Sequence, residues 1–376
     1  MASFKKQIYY SIYIFYMSTI YFKFLNIFIT IEPIYTLWIY YLWNGEVNKL
    51  KKILISIIGI CVIGVCIAIP FITKKDNDLK KIKVAEVTHS IFYSPQYLAD
   101  ALGYFEEEGL EVEFILTSGA NNVTAAVLSG DVQIGFCGSE ATIYVYNQGE
   151  KDYLVNFAGL TKKDGSFLVA REPDEDFKVE DLKGKHIIAG RKGGMPAMTL
   201  EWALNQNGVK TSEVNFDTSI DFASTTGAFI GGTGDYVSVF EPTALQLEKQ
   251  GYGYVVASVG ELGGIVPYTT YNAKKSYIEE NPDVIEGYTK AINKALEYVH
   301  THTAAEVAEK ITGYFPDTSL NDLTEIVQRY MDIDAWFKTT EISEEDFEHV
   351  QEIVKNAGEL DKEAPYDKLI DNSFAK

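Results

Sequence analysis

The sequence predicts an α/β protein made of two similar doubly wound lobes with a ligand cleft between them, and three observations carry that expectation. From residue 82, a short apolar run, a small or polar turn and a helix-patterned stretch recur three times before residue 150. That rhythm belongs to parallel strands joined by helices, a frame whose ligands sit at the strand C-termini. The rhythm restarts at about Lys185, as a second lobe built like the first. The turns HSIFYS, TSGANN and CGSEAT offer hydroxyls, glycines and aromatic rings but no catalytic set, which points to capture of a small molecule rather than its conversion.

Strand one is expected over residues 82–87. A helix follows from about Pro95 to Glu108, with Tyr97, Leu98, Ala101, Leu102 and Phe105 at helical spacing. Ser94 suits its N-cap, Pro95 its first turn and Gly109 its C-cap. Strand two covers 111–116, and a helix over 121–129 closes at Gly130. Strand three covers 132–136, and Gly138-Ser139 opens a helix running to about Gln148. Strands at 153–160 and 167–171 complete the first half. The second half reads as strand 186–189, a glycine turn with a helix ended by Gly208, strand 214–216, helix 219–229 and strand 235–240. A Glu241-Pro242 turn, helix 243–250 and strand 254–258 follow. From Ser276 onward helical patterns dominate, at 282–299, 303–312, 318–330 and 343–357. Ser319 with Asp322 and Ser343 with Asp346 suit N-cap positions. The last 16 residues show little periodicity.

The formal charge of −20 is uneven: residues 1–75 hold eight lysines against Glu32 and Glu46, so the remainder carries −26. A body this acidic offers no clustered cations for phosphates, which excludes nucleic acid as a partner. Cys61, Cys66 and Cys137 form neither a disulfide framework nor a zinc spacing. Cys137, alone at a strand end, reads as a small packed residue rather than a nucleophile. His89 lacks a second His or Cys at ligand spacing and reads as a polar cleft-edge or packed residue. The glycines of 231–236 precede a strand instead of following one, so they fail the context of a dinucleotide loop.

Residues 53–72 are a 20-residue run without charge, flanked by Lys49, Lys51, Lys52 and by Lys74, Lys75. At about 1.5 Å rise per residue such a run just spans a bilayer core of about 30 Å. The stronger positive charge before it places the N-side in the cytoplasm and the body outside. The segment is expected to be a membrane anchor or a signal segment. Val65 before Cys66 and Ile60 before Cys61 fit a lipidation site poorly. Residues 1–44, rich in Tyr, Phe and Ile, read either as a further membrane hairpin or as a stretch upstream of a true start near Val47, the second being favoured. The expected organisation is a hydrophobic and basic region 1–52, the anchor segment 53–72, a polar linker 73–81, and the body.

In chain order, GYFEEEGLEVEF, SGANNVTAAVLSGDVQIGFCGSEA, DLKGKHIIAGRKGGMPAMTLEWAL and GDYVSVFEP resemble the substrate-binding proteins of ABC importers for nitrate, taurine, aliphatic sulfonates and thiamine pyrimidine precursors. The resemblance covers about residues 82–300. It implies a type II periplasmic-binding-protein fold whose chain crosses twice between lobes. Lobe one would hold 82–168 with 268–376, lobe two 169–267, and the two would close on the ligand like a hinge. It also implies a monomer on the extracytoplasmic face of a bacterial membrane. Its partners would be an ABC permease and a separate ATPase, because this chain lacks a Walker motif. No cofactor, metal or catalytic residue is expected. Pyrimidine-synthesising relatives of this fold carry a cysteine-rich motif, whereas the body here holds Cys137 alone.

The candidate ligand-binding residues lie in the cleft turns. Ser118-Gly119, Gly138-Ser139 and Gly193-Gly194 each precede a helix, where free N–H groups and small residues seat an anion; the plain alternative is that they are turns and caps. Arg191 beside Gly193, Gly194 and Met195 either pairs with a sulfonate or carboxylate or is a surface charge. Phe92 and Tyr93 either stack on a flat ring or pack. Asp235, Tyr236 and Glu241 flank the strand ending in Phe240-Glu241-Pro242. Glu140 is out of place beside an anion and instead suits the N–H groups of an aminopyrimidine. The leading expectation is therefore a receptor for a sulfonate-, nitrate- or taurine-like anion, and the alternative is a receptor for a thiamine pyrimidine precursor. A pyrimidine-synthesising enzyme or a membrane-tethered sensor comes behind both.

Overall fold

The computed structural model describes residues 79–220 and 222–375. The expectations for residues 1–52, for the 53–72 membrane segment and for most of the 73–81 linker lie outside the described residues. Among the described residues no helix is long and apolar enough to cross a membrane.

The first half alternates strands and helices: β1 (Lys80–Glu86), α1 (Ser94–Ala101), α2 (Tyr104–Glu107), β2 (Leu110–Leu116), α3 (Ala120–Ser129), β3 (Ile134–Cys137), α4 (Glu140–Asn147) and β4 (Leu154–Thr161). The middle runs β5 (Ser166–Ala170), β6 (His186–Ile188), α5 (Met195–Gln206), β7 (Asn215–Asp217), α6 (Phe222–Ile230), β8 (Tyr236–Phe240), α7 (Thr243–Lys249), β9 (Tyr254–Ser258) and α8 (Val259–Gly263). The end holds β10 (Thr269–Lys274), α9 (Lys275–Glu280), α10 (Pro282–Thr301), α11 (Ala304–Ile311), α12 (Leu320–Asp332), α13 (Glu344–Asn356) and α14 (Tyr366–Leu369).

The strands form two sheets of five, in the orders β2-β1-β3-β10-β4 and β7-β6-β8-β5-β9. The three strands read from the opening rhythm are parallel, β1 pairing with β2 and β3, but each sheet as a whole is mixed. β10 runs antiparallel to β3 and β4, and β5 antiparallel to β8 and β9. These are the strands at the two places where the chain changes sheet. A chain that leaves one sheet and enters the next end-on must start its new strand at the edge it has just reached, and so runs against its neighbours. β5 pairs in the second sheet from Ser166 onward, so the change of sheet falls at residues 162–165, a little before the expected 169.

Two local expectations also change. The helix predicted from Pro95 to Glu108 is broken, because Gly103 adopts φ 73° between α1 and α2. Ser94 does not cap α1: it is itself helical, and its hydroxyl donates to the Ile91 carbonyl. Ser90 caps the short turn before it, accepting from the Phe92 N–H. β10 has no counterpart in the sequence reading, since TTYNAK lacks an apolar run. Its polar side chains are buried in pairs instead: Thr270 donates to Asn156 at 2.6 Å, and Asn272 donates to the Cys137 sulfur at 3.6 Å.

The late helices follow their pattern closely. α10 buries Val284, Ile285, Tyr288, Ala291, Ile292, Ala295, Leu296 and Val299, an apolar stripe at helical spacing. Each large side chain there contributes about 1.5–3 kcal/mol by leaving water. Ser319 and Ser343 accept from the N–H groups of Asp322 and Asp346, as N-caps do.

Candidate functional site

Strand register brings the C-terminal edges of the two sheets together. In the first sheet the ends of β3 and β4 lie beside the start of β10, with Cys137 opposite Thr270 and Thr161 opposite Thr269. In the second, the end of β8 lies beside the start of β5, with Phe240 opposite Ser166. The crossings at residues 162–165 and 264–268 join these edges, so the turns after β1, β3, β6 and β8 converge on the ground between the sheets. A crossing helix cannot fill that place, because both edges end in chain turns; it is the natural seat for a ligand in such a frame.

The turn after β3 is the most deeply set. Ser139 and Glu140 are buried. The Glu140 side chain folds back over Gly138, where any Cβ would run into its carboxylate. Glu140 Oε2 and the Ser139 hydroxyl have no hydrogen-bond partner. Burial pushes the Glu140 carboxyl up to about 7, opposed by its own N–H and by the charge of Arg191. Tyr144, one turn further along α4, has an unpartnered buried hydroxyl, and its phenol is raised by burial and by the Glu140 and Glu359 carboxylates.

The turn after β6 faces it. Gly190 and Gly193 take φ values of 98° and 69°, and the Gly194 N–H donates to the Arg191 carbonyl, a tight bend only glycine permits. Met195 begins α5 and is buried, whereas Arg191 is exposed at the rim yet within electrostatic reach of Glu140. Tyr93 is buried on the other side. Its ring meets Phe136 at 4.5 Å, and burial raises its phenol in the field of Cys137, Glu86 and Glu140. Electrostatic reach links Tyr93 and Arg191 to Glu140, with Gly138 and Ser139 on the Glu140 turn and Gly193, Gly194 and Met195 on the Arg191 turn.

The remaining sequence candidates are exposed at a sheet edge, packed, already paired or at the far end of β8. Ser118 is exposed at the end of the edge strand β2, with Gly119 beside it opening α3. Phe92 is 1% exposed and wedged among Phe240, Tyr268 and Tyr330, and a Cβ at Gly165 would strike its ring, so it packs the crossing rather than offering a free face. Glu241 is occupied: its carboxylate receives Arg329 at 2.6 Å and the Leu245 N–H at 3.0 Å. Asp235 and Tyr236 sit at the start of β8, the far end of the sheet from the crevice. There Asp235 accepts from the His186 N–H and the Tyr236 ring lies 6.2 Å from Phe177. Sequence adjacency to Phe240-Glu241 grouped them with the cleft, but a strand of five residues carries its two ends to opposite edges.

Three residues absent from the sequence reading join the interior. Asp164 on the first crossing is fully buried, and Thr199 on α5 and Tyr268 on the second crossing stand beside it. Burial raises the Asp164 carboxyl, opposed by hydrogen bonds from Ser166 and by its Tyr268 and Thr199 neighbours. Asp164 Oδ2 and Thr199 Oγ1 nonetheless lack a hydrogen bond of proper geometry. The stretch KKDGS carries no motif; only the topology shows that this turn lies between the sheets.

Among solved structures, the fold is that of the periplasmic binding proteins. The alkanesulfonate-binding protein SsuA from Xanthomonas axonopodis pv. citri, bound to MOPS, superposes with a TM-score of 0.62 over 78% of this chain and 98% of its own, at 14% identity. YtlA of Bacillus subtilis (strain 168), classed as a binding protein by name alone, is 43% identical over 304 residues, 81% of this chain and 91% of its own length. The 4-amino-5-hydroxymethyl-2-methylpyrimidine phosphate synthase of Aspergillus parasiticus is 26% identical over 232 residues, 58% of this chain and 66% of that enzyme. Residues 91–305 match the family described as NMT1/THI5 like. The chain belongs to the NMT1/THI5-like family.

Proposed function

We propose that this protein is the extracytoplasmic receptor of an ABC importer. It captures one small solute between its two sheets and hands it unchanged to a membrane permease powered by a separate ATPase. Residues 53–72 tether it to the membrane or direct its export. The observation that carries the reading is the group of buried polar atoms left without partners at and just after the turn that follows β3, on Ser139, Glu140 and Tyr144. Buried polar groups are almost always satisfied, so a cluster of orphans marks a place completed by something else. The kinship with YtlA supports binding over synthesis. So does Cys137, which is fully buried, bonded to Asn272 and raised by burial, and therefore held as an inert thiol.

The chemistry of the orphans favours an aminopyrimidine-like heterocycle over an anion. A carboxyl that titrates near neutrality offers one O–H donor and one acceptor, the complement of a ring nitrogen next to an amino group. An anion gains from Arg191 and the Gly193-Gly194 amides, and this supports the sulfonate reading, but it meets Glu140 and Asp164 in the interior. The test is calorimetry and thermal shift of the protein with aminopyrimidines, aliphatic sulfonates, taurine and nitrate. An aminopyrimidine at a hundredfold excess over its Kd is expected to stabilise by about 2.7 kcal/mol and to be recovered unaltered. Stabilisation by the anions alone overturns the ligand class, and a product of altered mass overturns the receptor.

A further inference from the structure

His89 stands in the turn between β1 and α1 and bridges two parts of the chain. Its Nε2 lies 2.9 Å from the Tyr314 carbonyl, in the turn after α11, and a carbonyl only accepts, so Nε2 carries a proton. Its Nδ1 lies 3.0 Å from Glu86 Oε1, at the end of β1, and 3.0 Å from the Tyr97 phenol of α1. That phenol gives its own proton to Glu86 Oε2 at 2.8 Å, where the Gln96 amide also donates at 2.8 Å, so toward the ring it accepts. Both ring nitrogens therefore face acceptors, the arrangement of an imidazolium. Glu86 is 2% exposed, and a carboxylate so deeply set needs the paired charge. The titratable residues around the ring are Glu86, Tyr97 and Tyr314, with Asp100 of α1 behind them, accepting from the Tyr314 phenol. The bridge holds the turn over residues 87–93. Further along that turn Trp336 donates to the Phe92 carbonyl at 2.8 Å, and the Phe92 ring wedges against the first crossing at Gly165.

We propose that the His89–Glu86 pair is a proton-operated latch: protonated, it clamps the turn after β1 between the sheet and the end of α11, and deprotonated it releases that turn, with Phe92 and the first crossing behind it. No tautomer of a neutral imidazole serves both sides. A proton kept on Nδ1 loses the Tyr314 carbonyl, and one kept on Nε2 turns the Nδ1 lone pair against Glu86 Oε1. The hydrogen bond to Glu86 raises the imidazole above its ordinary 6.5, opposed by burial, and the Tyr314 carbonyl and the Glu86 charge add to the rise. For a base raised in this way the stabilisation is complete below about 6.5 and is lost as pH rises through the folded-state value. Acid thus stiffens the junction between the sheets and alkali loosens it. The inference stands apart from the solute-receptor reading and adds to it a response to pH.

NMR of the full chain with histidine labelled by nitrogen-15 tests this, and His89→Gln identifies the His89 signals among the five histidines. Both His89 nitrogens are expected to be protonated at about pH 6, with a midpoint above the ordinary 6.5. Glu86→Gln, equal in shape, is expected to bring the midpoint down toward the ordinary value. Hydrogen exchange at the Val87, Phe92 and Tyr93 amides, corrected for its intrinsic pH dependence, reads the turn itself. In the wild type the opening constant of the turn is expected to rise between about pH 6.5 and the His89 midpoint, by up to about tenfold per unit, and to level off above it. The total rise must match the shift of the midpoint, an equality that a merely structural contact does not impose. His89→Gln is expected to make the opening constant independent of pH over that range, and it carries the test if circular dichroism shows Glu86→Gln unfolded. A neutral ring at about pH 6, a midpoint at or below the ordinary value, or a turn whose exchange in the wild type ignores pH overturns the latch and leaves the receptor reading standing.

Discussion

Glu140 shows how much of this site is set by one side chain. Its folded-state carboxyl titrates near 7, well above an ordinary glutamate, because burial penalises the charge more than Arg191 relieves it. For an acid raised in this way the stabilising contribution is fully present below the unfolded value of about 4.3 and is lost as pH rises through about 7. The ligand-free protein should therefore lose roughly 3 kcal/mol from this group between pH 4 and 8. Glu140→Gln removes that dependence, so the difference in stability between wild type and variant should itself change with pH by about that amount. Urea titrations of both proteins at pH 5 and pH 8 measure it, and parallel pH profiles would show that Glu140 is not the buried acid described. The identity of Glu140 as a misfit beside two small residues was visible in the sequence. Its orphaned oxygen was not, because orphaning depends on what the fold leaves out of reach.

Among the elements, α12 binds the two sheets' surroundings together. Arg329 on α12 joins Glu241, at the end of β8, at 2.6 Å and Glu248 on α7 at 2.7 Å. Lys249 on α7 reaches Asp322 and Glu325 of α12, but these three groups are exposed and contribute little. The Arg329–Glu241 pair differs, since the Glu241 side chain is fully buried. Arg329→Met should destabilise the protein by about 3–5 kcal/mol by stranding that acid, whereas Lys249→Met should cost less than about 1 kcal/mol. Denaturant midpoints of the two variants test the ranking, and equal losses would contradict it. Glu241 was legible as a residue near the cleft edge. Its partner lies 88 residues away, and nothing at Phe240-Glu241-Pro242 announces it.

At the scale of the whole molecule α5 meets the region of α13, whose His349 also reaches the Ile265 carbonyl of the second crossing. Asn205 of α5 donates to Asn356 at 3.3 Å, the Trp202 ring stands 5.4 Å from His349, and Lys192 lies 3.9 Å from Glu359. Hinge closure predicts that the radius of gyration falls when ligand binds, as small-angle scattering would record. Trp202→Ala combined with Asn356→Ala should weaken ligand affinity by about three- to tenfold, because the binding-competent closed state becomes less populated. Unchanged affinity in that double variant would place closure elsewhere.

From its residues alone the chain determined most of its elements and the repetition of its halves. Apolar period, glycine stops and serine caps act within a few residues, and the α/β rhythm, the late helices and the turns at Gly138–Glu140 and Gly193-Gly194 follow from them. What tertiary structure alone decided is direction and meeting. It turned β5 and β10 antiparallel, placed β10 without an apolar run, sent Asp235 and Tyr236 to the far edge, and brought Asp164, Thr199 and Tyr268 to the interior. The physical reason is that pairing register and burial are properties of distant segments in contact, and a buried polar atom declares its lack of a partner only when the neighbours that fail to satisfy it are in place.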